Sequence, residues 1–141
     1  NNSVNYIEKL RHSGLRPTKQ RINICEALFD QKETFHFTVS DLVKIIHQKQ
    51  NKKISLATVY NTVHAFKEKG YLKEISINSN KSYFDTNTSN HHHFYDEDKG
   101  KLIDAKNQDI SSIEINKNLG QKKIKSVEVL VRVATDNQNQ N

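Results

Sequence analysis

The stretch NHHHFYDEDKGKLID, residues 90–104, divides the chain into two unequal parts. His91–Asp96 and Lys101–Ala105 alternate as the two arms of a hairpin across Lys99-Gly100. Before them, Asp85–Asn90 is polar and nearly featureless and reads as a hinge. The part beyond the hinge is only about 50 residues, below the size that usually supports an independent core. That predicts folding against a second copy. The expected boundaries are therefore 1–85 for a first domain, 86–90 for the hinge and 91–134 for a second domain. Residues 135–141 lack an apolar anchor and are expected to be a disordered tail.

The first part carries helical periodicity and end signals. Val4, Ile7 and Leu10 share one helical face, and Gly14 stops that helix. Pro17 and Thr18 open a second, in which Ile22, Cys25, Leu28 and Phe29 fall on one face. Cys25 on that stripe reads as a buried core thiol rather than a reactive one. Ser40 is the expected N-cap of a third helix, with Leu42, Ile45 and Ile46 as its apolar stripe. Ser55 caps a fourth, with Leu56, Val59, Val63 and Phe66 inward and Gly70 as its stop. Leu72–Ile77 and Lys81–Phe84 then form a hairpin across Asn78-Ser79-Asn80. Helices followed by a basic hairpin are the parts of a winged helix-turn-helix. In the second part, residues 107–116 are expected to form a short helix. Lys123–Ala134 reads as a strand with Val127, Val129, Val131 and Val133 on one side. The fold class is α+β: an N-terminal winged helix-turn-helix followed by a small α/β dimerisation domain.

The outward face of the fourth helix is unusual. It offers Ala57, Thr58, Tyr60, Asn61 and His64, beginning beside Ser55. A merely solvated face more often carries Glu and Lys. Small, neutral, hydrogen-bonding side chains let a helix enter the major groove and meet base edges and thymine methyls. Charge agrees. Residues 1–85 carry 14 Lys and Arg against 8 Asp and Glu, whereas residues 86–141 carry 8 of each. The whole positive excess sits with the helices, as expected of a chain that holds a polyanion at one end.

The histidine run has its own chemistry. Alternate residues of a strand share a face, so His91 and His93 lie together, about 6.6 Å apart along the backbone. His92 faces the other way. Asp85 just before the hinge, Asp104 beyond the turn and His36 from the first part could join them on one ion. Three histidines and two aspartates without sulfur suit Fe2+ or Mn2+ and tolerate Zn2+. Ligands from both sides of a hinge would let metal set the angle between domains, hence the spacing of two DNA-reading helices in a dimer. Histidine is also an axial haem ligand, so His91, His92 and His93, flanked by Phe94 and Tyr95, are candidate haem contacts.

Composition removes several alternatives. With 34% hydrophobic residues the core is thin, and no run of 18 apolar residues exists to span a membrane. No signal-type segment is evident, so a cytoplasmic protein is expected. The single Cys25 excludes an internal disulfide and, with no Cys-x-x-Cys pair, a structural zinc held by four cysteines. An enzyme is not expected, because no general base stands beside the histidines and no Gly-rich substrate loop is present.

Taken in order, LRPTKQR (15–21), SLATVYNT (55–62), YFDT (83–86) and HHHFY…GKLID (91–104) resemble the ferric uptake regulator family of dimeric metal-dependent repressors. The resemblance covers residues 4–134 and is nearest to the haem-responsive iron response regulator subgroup. It implies that His36, Asp85, His91, His93 and Asp104 are the regulatory metal ligands, and that His92 belongs to a haem-binding triple histidine. It implies that Tyr60 contacts a base and that Arg16, Lys19 and Arg21 approach the DNA backbone and minor groove. Asp96 and Lys99 stand where many members carry a zinc-binding cysteine pair, and Asn61 stands where many carry arginine. The expected function is a homodimeric regulator of iron or haem homeostasis on an AT-rich dyad of double-stranded DNA. The alternative is a metal or haem binding protein, or a small metalloenzyme, with no DNA role.

Overall fold

The computed structural model describes residues 2–136, which fall into two compact units, Asn1–Thr88 and Ser89–Asn141. The first unit runs α1 (Asn2–His12), α2 (Lys19–Phe29), β1 (His36–Phe37), α3 (Val39–Lys49), α4 (Leu56–Glu68), β2 (Lys73–Asn78) and β3 (Lys81–Asp85). It is a winged helix-turn-helix: the helices enclose the core and β2–β3 form the wing, with β1 completing a sheet of order β1-β3-β2.

Helix boundaries follow from local hydrogen bonding. Thr18 caps α2 by accepting the Arg21 N–H, and Ser55 caps α4 by accepting the Thr58 N–H. The α3 start departs from the sequence expectation. Thr38, not Ser40, is its N-cap, because Thr38 and Asp41 complete a reciprocal capping box that Ser40 cannot form. α4 closes at Gly70, whose φ of +82° places it in the left-handed region. The Tyr71 N–H then reaches the Phe66 carbonyl and the Gly70 N–H the Lys67 carbonyl. The Tyr71 ring packs edge-on against Phe66, centroids 5.8 Å apart, sealing the turn.

The core of this unit joins all four helices to the sheet through Leu10, Ile24, Leu28, Phe37, Leu42, Ile46, Val59, Val63, Phe66 and Phe84. Two expected members are elsewhere. Val4 is 51% exposed, and Tyr6 with Leu10, one turn apart, form the buried stripe of α1 instead. Leu56 is 56% exposed because it occupies the first position of α4, ahead of the turn that meets the core. Thr62 is buried in the stripe, its hydroxyl satisfied by the Thr58 carbonyl at 2.8 Å. Cys25 is fully buried, as its position on the α2 stripe predicts.

The second unit is a sheet of order β5-β4-β6, made of β4 (His93–Asp96), β5 (Lys101–Asp104) and β6 (Leu130–Val133). β4 and β5 are antiparallel, and β6 runs parallel to β4 on its other edge. Tyr95 and Leu102 are its buried apolar residues. The expected helix at 107–116 is absent. The Asp109 carboxylate accepts the Lys106 N–H and its own N–H goes to the Lys106 carbonyl, making an isolated turn. The β-branched Ile113 and Ile115 just after it do not favour helix. The expected strand at Lys123–Ala134 shortens to β6, since β4 offers only four residues to pair with. After β6, Thr135 donates its backbone N–H to Asp98 Oδ2 at 2.7 Å. The remainder of the expected tail, 137–141, lies outside the described residues. Among the described residues no helix is long and apolar enough to cross a membrane.

Candidate metal centre and nucleic-acid interface

In the second unit, the β4–β5 register places His93 directly opposite Asp104, with Nε2 3.1 Å from Oδ1. His91, just before β4, brings its Nε2 to 3.6 Å from the same oxygen. The two imidazoles stand 4.3 Å apart at 53°. One ligand atom from each of the three residues lies within 4.8 Å of the others. His91 is oriented from behind, its Nδ1 lying 2.9 Å from the Ser89 carbonyl. A carbonyl only accepts, so Nδ1 carries the proton and Nε2 of the neutral ring presents a lone pair. That lone pair faces a carboxylate, and two acceptors held together are suited to a cation between them. A backbone carbonyl behind a ligating histidine is the usual way its tautomer is set.

His92 stands apart from this group. Its Nδ1 accepts the Val129 N–H at 3.0 Å, so in the neutral ring Nε2 carries the proton. Its carbonyl takes the Ala105 N–H at 2.9 Å. The three candidate haem histidines are thus a pair on Asp104 and one side chain fastened to the strand that becomes β6.

In the first unit, β1 pairs His36 with Asp85 on β3. The junction is held by the Thr86 N–H on the Phe35 carbonyl and by the Phe35 N–H on Thr86 Oγ1. Asp85 is buried and its Oδ1 accepts the Asn87 N–H at 2.8 Å. The His36 ring meets the Tyr83 ring edge-on at 5.7 Å. One histidine and one carboxylate are therefore adjacent here, by strand pairing alone.

The outward face of α4 that the sequence singles out is present at the surface. Ala57, Tyr60 and Asn61 are exposed, while Thr58 is half-buried. Ser55 and Thr58 use their hydroxyls on the cap, 2.8 Å from each other. Arg16 and Lys19 are exposed where the chain enters α2. Arg21 is half-buried and donates from Nη1 to the Arg16 carbonyl at 3.0 Å, bracing that entry.

Two contributors, the Ser89 carbonyl and Tyr83, are not singled out by the sequence, and a third, His64, is only half visible there. The Ser89 carbonyl has no side-chain signature. Tyr83 could have been suspected, since it lies two residues before Asp85 and shares its strand face. His64 was visible on the reading face, but not its stacking on Tyr60 at 4.1 Å.

The model of the Ferric uptake regulator family matches residues 12–134. Over 108 residues the chain is 34% identical to the peroxide-responsive repressor PerR of Staphylococcus aureus, spanning 77% of this chain and 71% of that protein. It is 35% identical over 108 residues to the peroxide operon regulator of Bacillus subtilis, spanning 77% and 72%. A solved structure with a similar fold is the ferric uptake regulator from Pseudomonas aeruginosa with manganese. Its TM-score is 0.65 at 20% identity, over 92% of this chain and 97% of that one.

Proposed function

The chain belongs to the ferric uptake regulator family of metal-dependent transcription regulators, and from that premise we propose that it is a homodimeric regulator of iron or haem homeostasis. Its ligand set is His36, Asp85, His91, His93 and Asp104, taking Fe2+ or Mn2+, with Zn2+ as a substitute in vitro. The observation that carries this reading is the meeting of His91 and His93 on one oxygen of Asp104. Donors of nitrogen and oxygen without sulfur match those ions.

A bound divalent ion supplies the positive charge that these facing acceptors share. The protein's part is positional. Strand register aims His93 at Asp104 and His36 at Asp85, and the Ser89 carbonyl sets the His91 tautomer. The five residues come from both sides of the 86–90 linker, so metal occupancy and linker conformation are thermodynamically coupled. In a dimer that coupling sets how two α4 helices address two half-sites. Ala57, Tyr60 and Asn61 read bases, Ser55 and Thr58 secure the helix start at the groove, and Arg16, Lys19 and Arg21 lie toward phosphates.

The test is retardation of a dyad-symmetric AT-rich duplex by the full chain, titrated with Mn2+ and separately with haemin. Mn2+ is expected to change DNA affinity at least about tenfold, a typical allosteric coupling. The His91→Ala/His93→Ala double variant is expected to lose that response. A Soret band that disappears in the same variant makes porphyrin the occupant. Retardation of no duplex under any condition reduces the protein to a metal or haem binder. The similarity to a peroxide-responsive repressor and to a peroxide operon regulator favours a second reading, in which peroxide rather than ion supply is the signal. Release of DNA on adding peroxide to the Fe2+-loaded protein, and not to the Mn2+-loaded one, selects it.

A further inference from the structure

We propose that His64 is a positioning residue for sequence readout: it holds the Tyr60 ring in the orientation that α4 presents and ties that ring to the base of the wing. This rests on the reading that α4 meets the bases.

Tyr60 is 51% exposed, yet it is not a loose surface ring. One helical turn on, the His64 ring lies against it in a tilted stack, centroids 4.1 Å apart and planes at 36°. The His64 ring also meets Phe84 edge-on, at 5.4 Å and 73°. Phe84 belongs to β3, is 2% exposed, and packs against Phe37 at 6.2 Å. An exposed tyrosine is thus connected through one imidazole to the buried core beneath the wing.

One turn before Tyr60 the helix carries no aromatic residue. The residues one turn before it are Leu56 and Ala57, both exposed, and Ala57 has only a methyl group to offer. Among the described residues no other ring lies against Tyr60. On a helix surface a tyrosine divides between two χ1 wells. The stack on His64 selects one before any ligand arrives. Ordering a side chain in advance strengthens binding by removing an ordering cost from association. The effect concerns the base-reading ring, so it acts on the selected sequence and not on general attraction to phosphates. Histidine suits the position because its flat ring stacks while its nitrogens tolerate the half-exposed site.

The experiment uses the full chain and two probes: a duplex selected by the wild-type protein from a random-sequence pool, and a shuffled duplex of the same composition. His64→Ala is expected to weaken binding to the selected duplex about fivefold, the scale of one aromatic contact, and to leave the shuffled duplex unchanged. His64→Gln, which keeps a polar side chain without a ring, behaves likewise. His64→Phe, which keeps the stack, recovers wild-type affinity within about twofold. Adding His64→Ala to Tyr60→Ala causes no further loss. Equal weakening of both duplexes, full effect of His64→Ala in the Tyr60→Ala background, or failure of His64→Phe to recover each overturns the proposal. If Tyr60→Ala leaves the selected duplex unaffected, the reading of bases by α4 falls with it. If Tyr60→Ala weakens binding and His64→Ala does not, only the role of His64 falls. Thermal melts of each variant separate loss of fold from loss of readout.

Discussion

His93 and Asp104 are direct partners across the β4–β5 ladder, and their side chains meet with Nε2 3.1 Å from Oδ1. Directly opposed residues hold their Cβ atoms about 4.5–5.5 Å apart on one face. Strand register alone therefore aims an imidazole and a carboxylate at one point. A slip of one residue would turn His93 to the other face and dissolve the pair.

Asp104 is the point on which His91 and His93 both bear, and its side chain is 57% exposed. Asp104→Asn keeps the shape and removes the charge. We expect Mn2+ affinity to fall at least about tenfold. Stability of the metal-free protein should move by no more than about 0.5 kcal/mol, as for other surface changes. Calorimetric Mn2+ titration and urea unfolding measure the two quantities on one sample.

Cys25 is fully buried, and burial pushes its thiol up from 9.0 to about 12, with Lys9 pulling the other way. The folded chain thus keeps this proton after the unfolded chain has lost it. The resulting stability is complete below pH 9 and is lost as pH rises toward 12. Tyr6, also raised by burial and by its hydrogen bond to Asp30, adds to the same fall. The urea midpoint should decline from about pH 9 upward, less steeply in Cys25→Ala. At about pH 8 a thiol reagent should modify Cys25 only at the rate of unfolding.

Leu42 is fully buried in α3, whereas Leu56 is 56% exposed at the start of α4. Leu42→Ala should cost about 2–5 kcal/mol, the range for emptying a packed site. Leu56→Ala should cost less than about 0.5 kcal/mol. Urea denaturation of the two variants distinguishes this arrangement from the periodicity of the helix, which treats both as inward.

Arg16 and Lys19 are exposed beside the start of α2. If each neutralises one phosphate per protomer, the Arg16→Ala/Lys19→Ala variant should reduce the slope of log affinity against log salt by about 1.8 per protomer. The preference for a selected duplex over a shuffled one should stay within about threefold of wild type. An unchanged slope would remove both residues from the DNA surface.

The split within the histidine run was legible, although the expected arm His91–Asp96 shortens to β4 and only His93 of the three lies in the strand. Alternation predicts His92 apart from His91 and His93, and the structure shows His92 on the Val129 N–H and the other two on Asp104, with His91 placed from the loop before β4 by the Ser89 carbonyl. Less legible were features where one local signal competes with another. Ser40 is a fair N-cap by type, but Thr38 has Asp41 three residues on and can close a box. Leu56 fits the apolar period yet precedes the turn that touches the core. The expected helix at 107–116 lost to an Asp109 turn and β-branched neighbours.

From the amino-acid order alone came the four helices of the first unit and most of their stops, the polar break at 86–90, the one-sided charge and the sulfur-free donor types. These depend on neighbours within about one helical turn or one strand step, where side-chain spacing and backbone capping decide the outcome. Only the tertiary structure decided that His36 faces Asp85, that His93 faces Asp104, that β6 joins β4 in parallel, and that His64 bridges Tyr60 to Phe84. Each of those pairings depends on strand register or on contacts between separate elements. Such contacts form once the core between the elements is closed, and no local periodicity encodes them.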